Sequence, residues 1–131
     1  MNTKATIRIL VIDDSESMRH TLQQCFEAFD DLEWVGESSD GQDALIQCER
    51  LHPDVVLIDV ALPRTDVAHV IHLIHEIRPE TQVIATISFE EQATIDTVMK
   101  AGAALCLSKY TPVLRIAELV RQVGQSVGSR L

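Results

Sequence analysis

The segment DVVLID, Asp54 to Asp59, sets four consecutive apolar residues between two carboxylates. A strand with one face in water alternates apolar and polar residues. An unbroken apolar run instead suits a strand buried on both faces, as in the centre of a parallel sheet. Such a sheet needs helices on both sides, and the flanking sequence supplies them. IRILVI, Ile7 to Ile12, reads as a first strand, and the polar cluster Asp13-Asp14-Ser15 can cap the helix after it. Met18, Leu22, Cys25, Phe26 and Phe29 then fall on one helical face. Leu32 to Ser38 holds a second strand around Trp34-Val35. Asp40 can cap a helix whose face is Ala44, Leu45, Cys48 and Leu51, and His52-Pro53-Asp54 breaks it.

After the central strand, Asp66 can cap a third helix with Val67, Val70, Ile71, Ile74 and Ile77 inward, ended by Arg78-Pro79. Gln82 to Ile87 reads as a fourth strand. Glu90 to Lys100 reads as a fourth helix with Ile95, Val98 and Met99 inward and Gly102 as its stop. Ala104 to Leu107 gives a short fifth strand. Pro112 can open a last helix carrying Val113, Ile116, Ala117, Val120, Val123 and Val127 on one side. The expected fold is α/β: (βα)5, a doubly wound five-stranded parallel sheet of order 2-1-3-4-5 with right-handed crossovers. Residues 1–124 are assigned to this domain and 125–131 to a tail or the start of a linker.

Composition narrows the function. The formal net charge is -9, so this surface repels phosphate backbones and argues against direct nucleic-acid binding while suiting a divalent cation. Aromatics are 4% of residues, which leaves the packing to aliphatic side chains. Cys25, Cys48 and Cys106 form no CxxC or metal-finger spacing, sit in apolar stretches, and read as buried reduced thiols of a cytoplasmic protein. The run Ile7 to Ile12 is interrupted by Arg8 and is too short for a signal sequence or a membrane span.

The expected topology brings particular residues to one rim of the sheet. The first strand delivers Asp13 and Asp14 at its carboxyl end, the third Asp59, the fourth Thr86 and the fifth Lys109. Open α/β sheets bind ligands at this rim, in the crevice where the chain switches direction. Taken singly, an Asp before a helix is a cap and a Lys at a strand end is solvated. Their convergence changes the reading. Two carboxylates about 4 Å apart repel by roughly 4 kcal/mol at an effective dielectric near 20, which a bound cation relieves. Oxygen donors without His or Cys point to Mg²⁺ or Mn²⁺. Lys109 and the Thr86 hydroxyl suit phosphoryl oxygens, and an Asp carboxylate is a recognised phosphoryl acceptor.

At these residues the chain resembles the receiver domain of two-component response regulators, a family of CheY-like fold. The matching motifs are ILVIDDS (Ile9 to Ser15), DGQDAL (Asp40 to Leu45), PDVVLIDVALP (Pro53 to Pro63), VIATIS (Val83 to Ser88) and AGAALCLSK (Ala101 to Lys109). The resemblance implies that Asp59 accepts a phosphoryl group from a histidine kinase or phosphotransfer protein. It implies Mg²⁺ bound directly by Asp14, through water by Asp13, and by Asp59 and the Ala61 backbone carbonyl. Thr86 would swing toward the phosphoryl group and Lys109 would contact it. The face made by the fourth helix, fifth strand and fifth helix would then change, driving output or dimerisation, with Lys100, Tyr110, Arg115 and Glu118 exposed on it. The resemblance leaves two arrangements open, a stand-alone regulator or the N-terminal part of a longer protein with an output domain, and the pattern is similar to receivers joined to helix-turn-helix DNA-binding domains.

Four positions depart from the family pattern: Val67 stands where Gly is usual, Ile87 where a small residue follows the Thr, Cys106 where the switch aromatic sits, and Tyr110 where Pro follows the Lys. Ile87 should crowd the phosphoryl group and hinder water. The departures at Val67 and Cys106 leave an alternative, a receiver-like module that binds a partner without phosphorylation. A phosphohydrolase is disfavoured because Ala61 occupies the position where a second acid is needed, so no enzyme activity is expected beyond Mg²⁺-dependent self-phosphorylation and dephosphorylation. His69, His72 and His75 drift about 60° per three-residue step around a helix and read as a solvated face rather than a metal set.

Overall fold

The computed structural model describes residues 6–128, with side chains through Gln125. Among the described residues strands and helices alternate: β1 (Ile7–Ile12), α1 (Glu16–Glu27), β2 (Leu32–Ser38), α2 (Gly41–Leu51), β3 (Val55–Asp59), α3 (Val67–Ile77), β4 (Gln82–Ile87), α4 (Gln92–Ala101), β5 (Leu105–Ser108) and α5 (Val113–Gly128). The sheet order is β2-β1-β3-β4-β5 and every pairing is parallel, as expected from the strand and helix pattern. The Val127 side chain and residues 129–131, which fall in the expected last helical face and tail, lie outside what is described.

Side-chain caps start the helices where the sequence puts them. Ser15 accepts from the Met18 amide, Asp40 from Asp43 and Asp66 from His69. Each satisfies an amide that the first helical turn leaves without a partner. α2 stops at His52, whose φ of 51° is left-handed, and α4 stops at Gly102, with φ of 120°. α4 begins two residues later than expected, after Glu91, which makes no side-chain cap bond. The start of β3 and both ends of β5 shift by one residue from the expected ranges.

Residues along each strand alternate between two cores. Leu10, Ile12, Val56, Ile58, Val83 and Ala85 pack with Ala44 and Cys48 of α2, Val70, Ile71 and Ile74 of α3, and Val98 of α4. Ile9, Val11, Val55, Leu57 and Ile84 pack against Leu22 and Phe26 of α1 and Ile116, Ala117 and Val120 of α5. The unbroken apolar run of β3 is thereby explained, since all five of its residues are buried.

Two inward assignments and one outward assignment change. Met99 is 41% exposed and Ile77 37%, because α4 buries only Val98 and α3 has ended its buried stripe by Ile74. His75 is not on a solvated face. It is half-buried, its Nε2 lies 2.7 Å from the Gly102 carbonyl, and a Cβ on Gly102 would meet its ring at 2.5 Å. All three thiols are free, but only Cys48 is fully buried, and burial pushes it up to about 12. Burial also raises the half-buried Cys25 and Cys106. No described helix is long and apolar enough to cross a membrane.

Candidate functional site

The alternation between cores dictates which side chains meet at the carboxyl rim. Asp13 stands two residues beyond Val11, Asp59 two beyond Leu57, Thr86 two beyond Ile84 and Lys109 two beyond Leu107. Each continues the phase of a residue packed on the α1–α5 side. Pairing in β3–β4 sets Asp59 directly beside Thr86. Backbone bonds fix the strand tips: Asp13 N–H to the Ser38 carbonyl at 2.9 Å, Val60 N–H to Thr86 at 3.0 Å, and Lys109 N–H to Ile87 at 2.8 Å.

Asp13, Asp59 and Thr86 are almost fully buried (3%, 3% and 4% exposed), whereas Asp14 is open to solvent. One carboxylate oxygen from each of Asp13, Asp14 and Asp59 lies within 4.8 Å of the others. Lys109 Nζ sits 3.0 Å from Asp13 Oδ2 and 3.1 Å from Asp59 Oδ2. Burial disfavours the ammonium, but hydrogen bonds and charge from these two carboxylates outweigh it and hold Lys109 above the usual lysine range. The remaining oxygens are also placed: Asp13 Oδ1 accepts from the Ser15 amide at 2.8 Å and Asp59 Oδ1 from the Ala61 amide at 2.9 Å.

Three carboxylates against one ammonium leave an excess of two negative charges, which one divalent cation neutralises. The donor set is all oxygen, and hard oxygen donors fit Mg²⁺. The groups expected at the rim are therefore together: Asp13, Asp14, Asp59, Thr86 and Lys109, with Ala61 two residues beyond the central carboxylate in the exposed loop after β3. Arg64, in that loop, holds a left-handed φ of 52°.

Around the rim, Phe89 is 84% exposed and Tyr110 78%, with Leu114 of α5 also outward. Lys100, Arg115 and Glu118 are exposed as expected, and Arg115 pairs with Glu118 at 3.2 Å. One participant near the site was not foreseen. Arg19 of α1 reaches back under the β1 tip, with Nη1 donating to the Asp13 carbonyl and Nε donating to Glu37 Oε1 at 2.6 Å. Its position after the acidic pair was the one available signal.

A family model described as the response regulator receiver domain matches residues 9–121. The Transcriptional regulatory protein LiaR of Bacillus subtilis is 33% identical over 115 residues, covering 88% of this chain and 54% of that protein. The Response regulator protein VraR of Staphylococcus aureus is 30% identical over 124 residues, covering 93% and 59%. The chain thus spans little more than half the length of these curated relatives. The signal receiver domain of NarL from Mycobacterium tuberculosis is 26% identical and superposes with a TM-score of 0.87 over 92% of this chain and 98% of that one.

Proposed function

The chain belongs to the response regulator receiver family, and on that premise we propose that it takes a phosphoryl group from a histidine kinase or phosphotransfer protein onto Asp59. The observation that carries this reading is the carboxylate triad with Lys109 bridging two of its members. Asp13, Asp14, Asp59 and the Ala61 carbonyl would hold Mg²⁺. The ion supplies charge that lets a carboxylate and an incoming phosphoryl anion approach one another.

The chain's own groups do the rest. A carboxylate oxygen of Asp59 attacks phosphorus, and the O–P bond forms as the P–N bond to the donor imidazole breaks. The imidazole keeps that electron pair and recovers a proton from solvent. Lys109, already paired with Asp59, is placed to pair with the transferred oxygens. Thr86, adjacent in register, offers its hydroxyl to the same group. Transfer adds negative charge at a buried point, so the Thr86 and Lys109 contacts differ between the two states. Both lie on elements next to α4 and α5, which makes the α4–β5–α5 face the surface that signals to an output domain or a second copy. The setting would be a bacterial cytoplasmic pathway controlling transcription, with no catalysis beyond the protein's own phosphorylation and dephosphorylation.

Incubation with acetyl phosphate and Mg²⁺, read by intact mass, tests the proposal. The expected result is the gain of one phosphoryl group by the native chain and none by Asp59→Asn. Absence of any Asp59-dependent gain would favour the module that binds a partner without phosphorylation.

A further inference from the structure

We infer that Arg19 is a positioning residue for the cation site, acting through the backbone of Asp13; this rests on the Mg²⁺ reading above. The Asp13–Asp14 peptide is where β1 ends and the chain turns toward α1, so its orientation decides where two of the three carboxylates go. Asp13 is held from its amide by the Ser38 carbonyl and by its side chain accepting from Ser15. Lys109 Nζ holds its other carboxylate oxygen at 3.0 Å, and Arg19 supplies the fourth restraint, donating to the Asp13 carbonyl.

The Arg19 guanidinium is itself fixed. Nε donates to Glu37 Oε1 at 2.6 Å, and the side chain is only 15% exposed. Glu37 is the penultimate residue of β2, and the neighbouring Ser38 carbonyl holds the Asp13 amide. A planar guanidinium can serve both acceptors at once, while a lysine ammonium at the end of a flexible stem is less suited to spanning them. The ring Asp13–Arg19–Glu37–Ser38 therefore ties α1, β1 and β2 together at the peptide that leads into Asp14, whose exposed carboxylate has no burial to orient it. Groups that orient metal ligands from behind typically set about 10- to 100-fold in metal affinity.

The sign of the effect separates positioning from charge. Arg19 is a cation beside an acidic cluster, so removing its charge alone would favour a divalent ion. A positioning role requires the opposite, a weaker site when Arg19 is lost.

The experiment is a Mg²⁺ titration of the full chain by NMR, following the amides of residues 13–15, with thermal unfolding in parallel. Arg19→Met is expected to raise the Mg²⁺ dissociation constant about 10-fold or more. Glu37→Gln, which keeps an acceptor for Nε, should stay within about threefold of native, and Arg19→Lys should fall between. Acetyl phosphate labelling of Arg19→Met should slow at limiting Mg²⁺ and recover at saturation, while thermal unfolding shows the variant folded without Mg²⁺ at the titration temperature, which separates a weakened site from a partly unfolded chain rescued by the ion. If Arg19→Met folds and binds Mg²⁺ as tightly as the native chain, or more tightly, the inference is overturned while the cation site stands. If the native chain binds no Mg²⁺, both fall. Should Arg19→Met not fold, an Arg19→Lys affinity equal to native overturns the positioning role by itself.

Discussion

Lys109 Nζ lies between Asp13 and Asp59, 3.0 Å from one carboxylate and 3.1 Å from the other, so a single cation joins the tips of two neighbouring strands. Lys109→Met would leave two buried carboxylates facing each other without a partner. We expect a loss of about 2 kcal/mol in urea unfolding without divalent ions. Added Mg²⁺ should recover much of it, because the cation site has become more negative, yet acetyl phosphate labelling should drop. Equal labelling by both proteins would remove Lys109 from the transfer.

The same contact fixes a pH window. The lysine pKa stands above its ordinary 10.5 in the folded chain, despite burial, because Asp13 and Asp59 favour the charged form. A raised folded pKa means a stabilisation fully present below the unfolded value and lost as pH rises through the folded one. The stability gap between native and Lys109→Met should therefore hold steady from about pH 7 to about pH 10 and narrow above it. A gap that already closes near neutrality contradicts the assignment.

Asp14 is exposed whereas Asp13 and Asp59 are buried, so the proposed Mg²⁺ binding can be separated from folding at this site. Asp14→Asn should unfold like the native chain without metal. Native protein should gain about 2.7 kcal/mol at a Mg²⁺ concentration one hundred times its dissociation constant, and Asp14→Asn little or none at that concentration. Thermal scans with and without Mg²⁺ read the difference directly.

Two backbone positions should respond in opposite directions. Gly102 has φ of 120° and its Cα hydrogen faces the His75 ring, so Gly102→Ala should cost about 2 kcal/mol or more by strain and displacement of that ring. Arg64 holds a left-handed φ of 52° on a β-carbon-bearing residue, so Arg64→Gly should be neutral or stabilise by up to about 1 kcal/mol. Urea midpoints of the two variants should fall on opposite sides of native or, for Arg64→Gly, at native.

Ile87 follows Thr86 and is buried at the end of β4. If its bulk shields the phosphoryl group from water, Ile87→Val, costing about 0.5–1.5 kcal/mol, should shorten the lifetime of the phosphorylated form. An unchanged decay rate by intact mass assigns Ile87 to packing alone.

Much of the fold could be read in advance because the chain marks its own boundaries. Asp40 and Asp66 cap the helices they were expected to cap, Ser15 is the member of the expected polar cluster that caps α1, and Gly102 stops α4. The candidate site was legible for a related reason: Asp13, Asp59, Thr86 and Lys109 all lie within one residue of a strand's carboxyl end, and parallel order sends those ends to one rim. Helical spacing was less informative for α4. It marks which residues share a face but not how wide a stripe the neighbours cover, and here Val98 is buried while Met99 is not. His75 and Arg19 were missed because each bonds to a backbone carbonyl, of Gly102 and Asp13, and a carbonyl leaves no trace in the identity of the residue that carries it.

The two-sided alternation of the strands has a further consequence for how a chain like this can vary. Each rim group is reached by counting in twos from a residue packed under α1 and α5. Deleting a single residue between Ile84 and Thr86, or between Leu57 and Asp59, would turn the functional group through the sheet to the opposite layer. Loops at the opposite rim are free of this constraint, but within these strands a change of one residue moves the rim group to the other face and a change of two does not.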